Sequence, residues 1–265
     1  MALDETSFFD FDLTVGEIVA FTRKTVGSSG ANGVVIGLSG GVDSSLVLAL
    51  CVKAIGAQKI LGLIMPTEFT PANDVEDAKE LASSFGVRTE IVSIDPIAEA
   101  FVKTLGVVKT PTKKTPLANI LARIRMIVLY YYANLSGYLV VGTGDRSEVL
   151  IGYFTKYGDG GADFLPISHL YKTQVRLLAK HLGVPERIAY KPSSPQLYPG
   201  HKATDEIPIE YEKLDLVEAR LFDRHESIEK VAEEVGVSQD VVAEVARRFE
   251  STKHKRECAA MMKSW

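Results

Sequence analysis

The chain has 265 residues, 30 Lys and Arg against 34 Asp and Glu, a formal net charge of −4 and 46% apolar residues. That balance is typical of a folded globular protein of one large or two small domains. It offers no apolar run approaching the ~20 residues a bilayer-spanning helix needs, nor the basic excess from which general nucleic-acid binders draw affinity.

The acidic opening MALDETSFFDFDL has no basic n-region, so a secretory signal is not expected. Val34–Leu38 reads as a buried strand and Asp43–Ile55 as a helix carrying Cys51 in an apolar stretch. Cys51 and Cys258 lie far apart and form no CxxC, which predicts neither a zinc site nor a disulfide framework and suits a reducing, cytoplasmic setting. Lys59–Met65 (KILGLIM) is the next strand. Thr70-Pro71 opens a helix over Pro71–Phe85, where Asp74, Glu76 and Asp77 complement the positive end of the helix dipole. Arg88–Ile94 is a third strand, and Asp95-Pro96 begins another helix. Val107–Thr115 (VVKTPTKKT) is a polar, basic surface loop, Leu117–Leu135 a long helix and Tyr138–Val141 a fourth strand. Continuous apolar strands separated by helices mean parallel strands covered on both faces. A doubly wound parallel α/β sheet is therefore predicted over about the first 170 residues. From Lys172 onward the pattern is helical, interrupted by KPSSPQLYPGHKATDEIP (191–208), whose length and proline content suit a lid or disorder. The chain 1–265 reads as one domain with a C-terminal helical extension over about 205–265.

Ser227–Phe249 has the helix, glycine turn and second helix of a helix-turn-helix. From His225 to Phe249, however, six acids face three bases, and the second helix starts with Gln239-Asp240. A packed helical hairpin is expected rather than a DNA reader.

The chemistry concentrates in two stretches. LSGGVDSS (38–45) follows the first strand, at the sheet edge where open α/β folds bind ligands. Gly40 and Gly41 permit a sharp turn, the hydroxyls of Ser39, Ser44 and Ser45 and the free N–H groups of the following helix suit a phosphate, and no Walker A lysine is present. An acid in such a turn repels phosphate unless a cation lies between. Asp43 is thus either a Mg²⁺ ligand beside phosphates or a helix cap. The second stretch, Val140–Lys172, mixes Asp145, Glu148, Asp159 and Asp163 with Arg146, Lys156 and Lys172, with Gly142, Gly144, Gly158, Gly160 and Gly161 among them. It is either solvated loop or a site, and its start directly after the fourth strand places it at the same sheet edge.

SGGVDSS after a hydrophobic strand resembles the pyrophosphate loop of the N-type ATP pyrophosphatases. GTGDRSE, GYFTKYGDGGAD and the PI and LYKTQVR segments resemble the signature of the ammonia-dependent NAD synthetase family, as do NILARIRM (Asn119–Met126), LGVPERI (Leu182–Ile188) and HKR (His254–Arg256). The resemblance implies a Rossmann-like fold of the adenine-nucleotide alpha hydrolase type. It implies a ligase that activates the nicotinate carboxylate of deamido-NAD with ATP, as an acyl adenylate, and then amidates it with ammonia. By that resemblance Gly37, Leu38, Ser39, Gly40, Gly41, Val42, Asp43, Ser44, Thr143, Lys172 and Ser194 bind ATP. Asp43 and Glu148 hold Mg²⁺, and Arg123, Lys156, Asp163, His254 and Lys255 bind deamido-NAD. Asp43, Lys172 and Asp163 carry the catalytic roles. The family is homodimeric with the dinucleotide across the interface, and the Tyr130–Tyr132 face of the long helix suits either that interface or the core. No nucleic-acid or membrane partner is implied.

Neither cysteine lies in a recognisable amidase context, and the chain has no room for a glutaminase domain beside the synthetase core, so free ammonia is the expected donor. Segment 193–208 departs from the family pattern: Gln196 replaces an acid, His201-Lys202-Ala203-Thr204 replaces a QTDE element and Pro208 replaces glycine. That departure leaves open a related enzyme aminating another acceptor in the manner of GMP synthetase. The remaining alternative, a non-catalytic ATP-binding protein, does not explain Glu148, Lys156, Asp163 and Lys172 together.

Overall fold

The computed structural model describes residues 9–106, 114–194 and 203–262. The chain enters through α1 (Phe11–Ser29) and β1 (Val34–Gly37); α2 (Val42–Ile55) leads to β2 (Ile60–Ile64), α3 (Ala72–Ser84) to β3 (Arg88–Ile91), and α4 (Asp95–Thr104) with α5 (Lys114–Ser136) to β4 (Leu139–Val141). Beyond β4 follow α6 (Arg146–Leu150), α7 (Lys172–His181) and α8 (Glu186–Ala189). The C-terminal helices are α9 (Tyr211–Glu218), α10 (Ile228–Val235), α11 (Gln239–Ser251) and α12 (Lys253–Arg256).

All strand pairs are parallel, in the order β3-β2-β1-β4, with Val34 opposite both Ile60 and Leu139. Alternation along the strands divides the core, as a period of two residues requires. Val34, Ile36, Ile60, Ile64 and Val141 face a layer built from α1, α2, α3, α7 and α8. Val35, Leu61, Leu63 and Val140 face the layer of α5 and the start of α4. Helices on both faces make this the doubly wound sheet that the sequence predicts. α2 is the most enclosed helix: Leu46, Val47, Leu48 and Leu50 are fully buried, each contributing ~1.5–3 kcal/mol relative to an exposed side chain. A third apolar cluster joins Ala203, Ile207, Tyr211, Leu214 and Val217 to Val231, Ala232, Val242 and Val245 of the α10–α11 hairpin, and touches the sheet half through Ile151.

One sequence expectation needs correction, and one element lies outside the sequence reading. β3 is not covered on both faces: it is the edge strand, ends at Ile91, and leaves that side chain 52% exposed. A long helix also precedes the first strand. In α1 a narrow stripe, Ile18, Thr22 and Val26, is buried at a spacing of four, too thin a pattern to stand out beside the acidic opening. Asp10 caps it by accepting a bond from Leu13 N at 3.0 Å. The expected surface loop 107–115 falls largely outside the described residues, as does the central part of the proline-rich segment, 195–202.

The turn after β1 depends on one backbone conformation. Gly40 has φ +75°, and a Cβ there would overlap the carbonyl of Asp74 at the start of α3. Gly40→Ala is therefore expected to cost on the order of 1–3 kcal/mol in denaturant unfolding and to abolish ATP binding measured by calorimetry. A variant that unfolds and binds like the parent would contradict this.

Candidate active site

β1 lies between β2 and β4, so the chain turns to opposite sides of it, and the crevice outside the carboxyl ends of β1 and β4 is the switch point where such sheets bind ligands. Residues 38–41 fill the gap from β1 to α2. Leu38 N continues the sheet by donating to Leu63 O at 2.8 Å. Gly41 N donates to Ser39 Oγ at 3.2 Å, Ser39 N to Ser44 Oγ at 3.3 Å, and Ser45 Oγ to Gly41 O at 2.7 Å. The loop is thus pre-shaped by its own hydroxyls. The N-cap of α2 is Gly41 with no side-chain cap, so Asp43 does not cap this helix. Its carboxylate reaches elsewhere.

That destination is Lys172, the first residue of α7 and fully buried. Its Nζ lies 2.8 Å from Asp43 Oδ1, 2.8 Å from Asp145 Oδ2 and 2.9 Å from Glu148 Oε1. Asp145 also caps α6, accepting from Glu148 N at 2.9 Å. The Tyr211 ring stands 5.1 Å from the ammonium, and its buried hydroxyl has no hydrogen-bond partner among the described residues. Burial alone would lower the Lys172 pKa, but the three carboxylates outweigh it and hold the ammonium well above its usual range. Burial, partly offset by Lys172, pushes Asp145 up to about 6. Burial and the neighbouring acids raise Glu148 well above a normal carboxylate.

With all three acids ionised, one ammonium against three carboxylates leaves two negative charges in excess, and that excess is part of what raises Asp145 and Glu148. Such a cluster is costly without a further cation. Asp43 and Glu148 bond the same Nζ and both line the neighbouring cavity, so two hard oxygen ligands converge there and suit a divalent ion sharing its shell with phosphate. Among the described residues no group of three His, Cys, Asp or Glu side chains is arranged to hold a metal alone.

The cavity above the cluster has a volume of about 440 Å³. Of the residues predicted for ATP, it is lined by Gly37, Leu38, Ser39, Gly41, Val42, Asp43, Ser44, Thr143 and Ser194. Gly40 and Lys172 sit behind that lining. The residues predicted for the second substrate are more dispersed. Lys255 lines the cavity but donates to Gly152 O and Phe154 O, both at 2.7 Å, fastening the 152–161 loop. Arg123 donates to Lys156 O at 3.3 Å, and Lys156 Nζ is bonded to His254 O, forming a separate cluster on the rim. Asp163 is exposed and accepts from Tyr130 Oη at 3.1 Å and Val140 N at 2.7 Å. Tyr130 is correspondingly raised to about 12, by burial first and then by that carboxylate.

Three contributors escape a reading of the sequence. Arg125, one helical turn short of the expected Tyr130 face, lines the cavity and is anchored through Nε to Met65 O at 3.2 Å. Lys191 donates to Gly40 O at 2.9 Å, Asp74 Oδ1 at 2.8 Å and Asp77 Oδ2 at 2.5 Å, tying the phosphate loop to α3. Asp145 appears in sequence only as one acid among several; its three-residue spacing to Glu148 is a capping signal that points to its placement.

A parallel sheet whose switch-point turn is a hydroxyl-lined loop suited to a phosphate, backed by a buried lysine and converging carboxylates, fits an α/β nucleotide-binding protein. The chain belongs to the NAD synthase family, whose family model matches residues 14–259. An NH(3)-dependent NAD(+) synthetase of Staphylothermus marinus is 49% identical over 247 residues, covering 93% of this chain and 89% of that protein. Two solved structures superpose over nearly the whole chain. An NMN synthetase from Francisella tularensis has TM-score 0.83 at 31% identity, covering 97% of this chain and 100% of its own. An NH3-dependent NAD synthetase from Campylobacter jejuni, in complex with nitrate, has TM-score 0.81 at 30% identity, with coverages of 96% and 100%.

Glu218, at the end of α9, is fully buried, and among the described residues neither carboxylate oxygen has a hydrogen-bond partner. Burial first, then Asp215 and Asp145, hold its pKa well above 4.5. The native state therefore binds this proton more tightly than the unfolded chain, and stability falls as pH rises from about 4.5 toward the elevated value. Glu218→Gln removes that dependence. Its melting midpoint should match the parent near pH 4.5 and exceed it increasingly toward neutrality in thermal scans; a difference independent of pH would refute this.

Proposed function

We propose that this chain makes NAD from deamido-NAD, ATP and ammonia, releasing AMP and pyrophosphate. The observation that carries the reading is the buried Lys172 ammonium beneath the phosphate loop, shared by Asp43 and Glu148 at the wall of the cavity. The nicotinate carboxylate attacks the α-phosphorus of ATP; the α–β bridging P–O bond breaks, giving an acyl adenylate and pyrophosphate. Ammonia then attacks the acyl carbon, a proton is lost to solvent or to a nearby carboxylate, and AMP departs with the carboxylate oxygen it received.

Both reactants of the first step are anions, so the site must supply positive charge where they meet. In this reading Ser39, Gly41, Ser44 and the N-terminus of α2 cradle the phosphates, with Gly37, Leu38, Gly40 and Val42 shaping the loop. Thr143 and Ser194 contact the nucleotide from the far wall. Lys172 neutralises the departing pyrophosphate. Asp43 and Glu148 would hold Mg²⁺, which when bound neutralises phosphate charge and activates the α-phosphorus. Arg123, Lys156, Asp163, His254 and Lys255 take deamido-NAD along the rim, with Asp163 positioning the substrate.

A homodimer with the dinucleotide across its interface, and a cytoplasmic location, belong to the same proposal. Ile127, Tyr131 and Leu135 are exposed along one face of α5, which supports the dimer. Among the described residues no helix is long and apolar enough to cross a membrane. The relatives do not favour a GMP synthetase-like acceptor. The Francisella tularensis neighbour favours one further candidate, nicotinate mononucleotide, as a competing acceptor.

The test is chromatography of products from ATP, Mg²⁺, ammonium and deamido-NAD, with nicotinate mononucleotide and XMP as parallel acceptors. NAD and AMP should appear in equal amounts, fastest with deamido-NAD. Asp43→Asn should lower the rate by about a hundredfold or more. Faster turnover of either other acceptor would replace this substrate assignment.

A further inference from the structure

We propose that Asp215, acting through Ser147, is a positioning residue that fixes Lys172 for the adenylation step; the inference rests on the function proposed above. α7 begins at Lys172, and the first N–H groups of any helix lack partners within it. The preceding Tyr171 makes no side-chain cap: its hydroxyl donates to Asp223 at 2.7 Å, and its own N–H is taken by Gln174 Oε1 at 2.9 Å. The missing cap arrives from a different part of the chain. Lys172 N donates to Ser147 Oγ at 3.0 Å, Ser147 Oγ donates to Asp215 Oδ1 at 2.6 Å, and Thr173 N donates to Asp215 Oδ2 at 2.8 Å. One carboxylate from α9 thus receives one N–H of α7 directly and a second through a hydroxyl. A negative charge at a helix N-terminus is well placed for both hydrogen bonding and the helix dipole.

The arrangement does more than begin a helix. Ser147 lies on α6 between Asp145 and Glu148, two of the three carboxylates around the Lys172 ammonium. Asp215 therefore fastens, through adjacent bonds, both short elements whose side chains must meet at Nζ. Lys172 and Ser147 are completely buried and Asp215 is 4% exposed, so water does not replace a lost bond without opening the core. Tyr211, one turn earlier on α9, puts its ring against the same ammonium. The third apolar cluster, which holds α9, thereby bears on the position of Lys172 through both Asp215 and Tyr211. Displacing a charge by about 1 Å from a developing transition state reduces rate on the order of a hundredfold, with ground-state binding less affected.

The test compares Asp215→Asn, Ser147→Ala and Ser147→Thr with the parent in the full-length chain, measuring kcat and KM for ATP and deamido-NAD together with the melting midpoint. Asp215→Asn and Ser147→Ala should each lower kcat by roughly 10- to 100-fold, with both KM values within about twofold of the parent. The double variant should be no slower than the slower single one. Ser147→Thr, which keeps the hydroxyl, should retain most of kcat. If Asp215→Asn does not fold, Ser147→Ala and Ser147→Thr carry the comparison. A cap of purely structural value would lower the melting midpoint while leaving kcat per folded molecule unchanged, and that result overturns the inference. A parent chain that makes no NAD overturns the proposed function and this inference with it; a parent that makes NAD beside fully active variants overturns the inference alone.

Discussion

A single buried ammonium answers three carboxylates at the carboxyl edge of the sheet, and most of the surrounding architecture exists to keep it there. Lys172 draws Asp43 from the helix after β1 and Asp145 and Glu148 from the helix after β4. Those two strands flank the switch point, so the charge cluster closes the crevice between them. With all three acids ionised, two surplus negative charges at partly buried positions are a liability to the fold. Under the proposed function they become an asset, because a bound cation and polyphosphate would supply what the protein lacks. Stability has been traded for readiness, as local rule-breaking at a functional site usually signals.

The same logic recurs around the cluster. Lys191 holds the phosphate-loop carbonyl of Gly40 and two acids of α3 from the outer side. Lys255 holds two carbonyls of the glycine-rich 152–161 loop from the C-terminal side. Each is a long cationic side chain used to fix backbone, and each comes from a segment remote in sequence from the loop it holds. Both loops are rich in glycine, so such ties supply rigidity that their backbones lack. The C-terminal helices reach the site by both routes, through α9 beneath Lys172 and through α12 on the cavity rim.

Much of this was legible in the sequence because the relevant signals are local. The four strands are short β-branched runs, the phosphate turn is marked by paired glycines between a strand and a helix, and Glu148 and Lys172 stand in dense charged segments. What escaped was non-local. Whether Asp43 capped a helix or served a cation depended on a lysine 129 residues away in sequence. Strand order decides that β3 is an edge, and nothing within RTEI states it. Asp215, Lys191 and Arg125 look like ordinary helix-surface or loop charges until the fold brings them to the site. The reverse also holds: Arg123, Lys156 and His254 stand in conspicuous motifs, yet they pair with one another and do not line the cavity.

The central claim is that this charge arrangement lets a carboxylate oxygen reach the α-phosphorus of ATP. The most direct measurement supplies deamido-NAD with both nicotinate carboxylate oxygens replaced by heavy oxygen and reads the products by mass spectrometry. Attack at the α-phosphorus transfers one labelled oxygen to AMP and leaves the other in the NAD amide, with none in pyrophosphate. Unlabelled AMP, or label in the pyrophosphate, would contradict the account, since either would mean that the cluster around Lys172 serves a different bond.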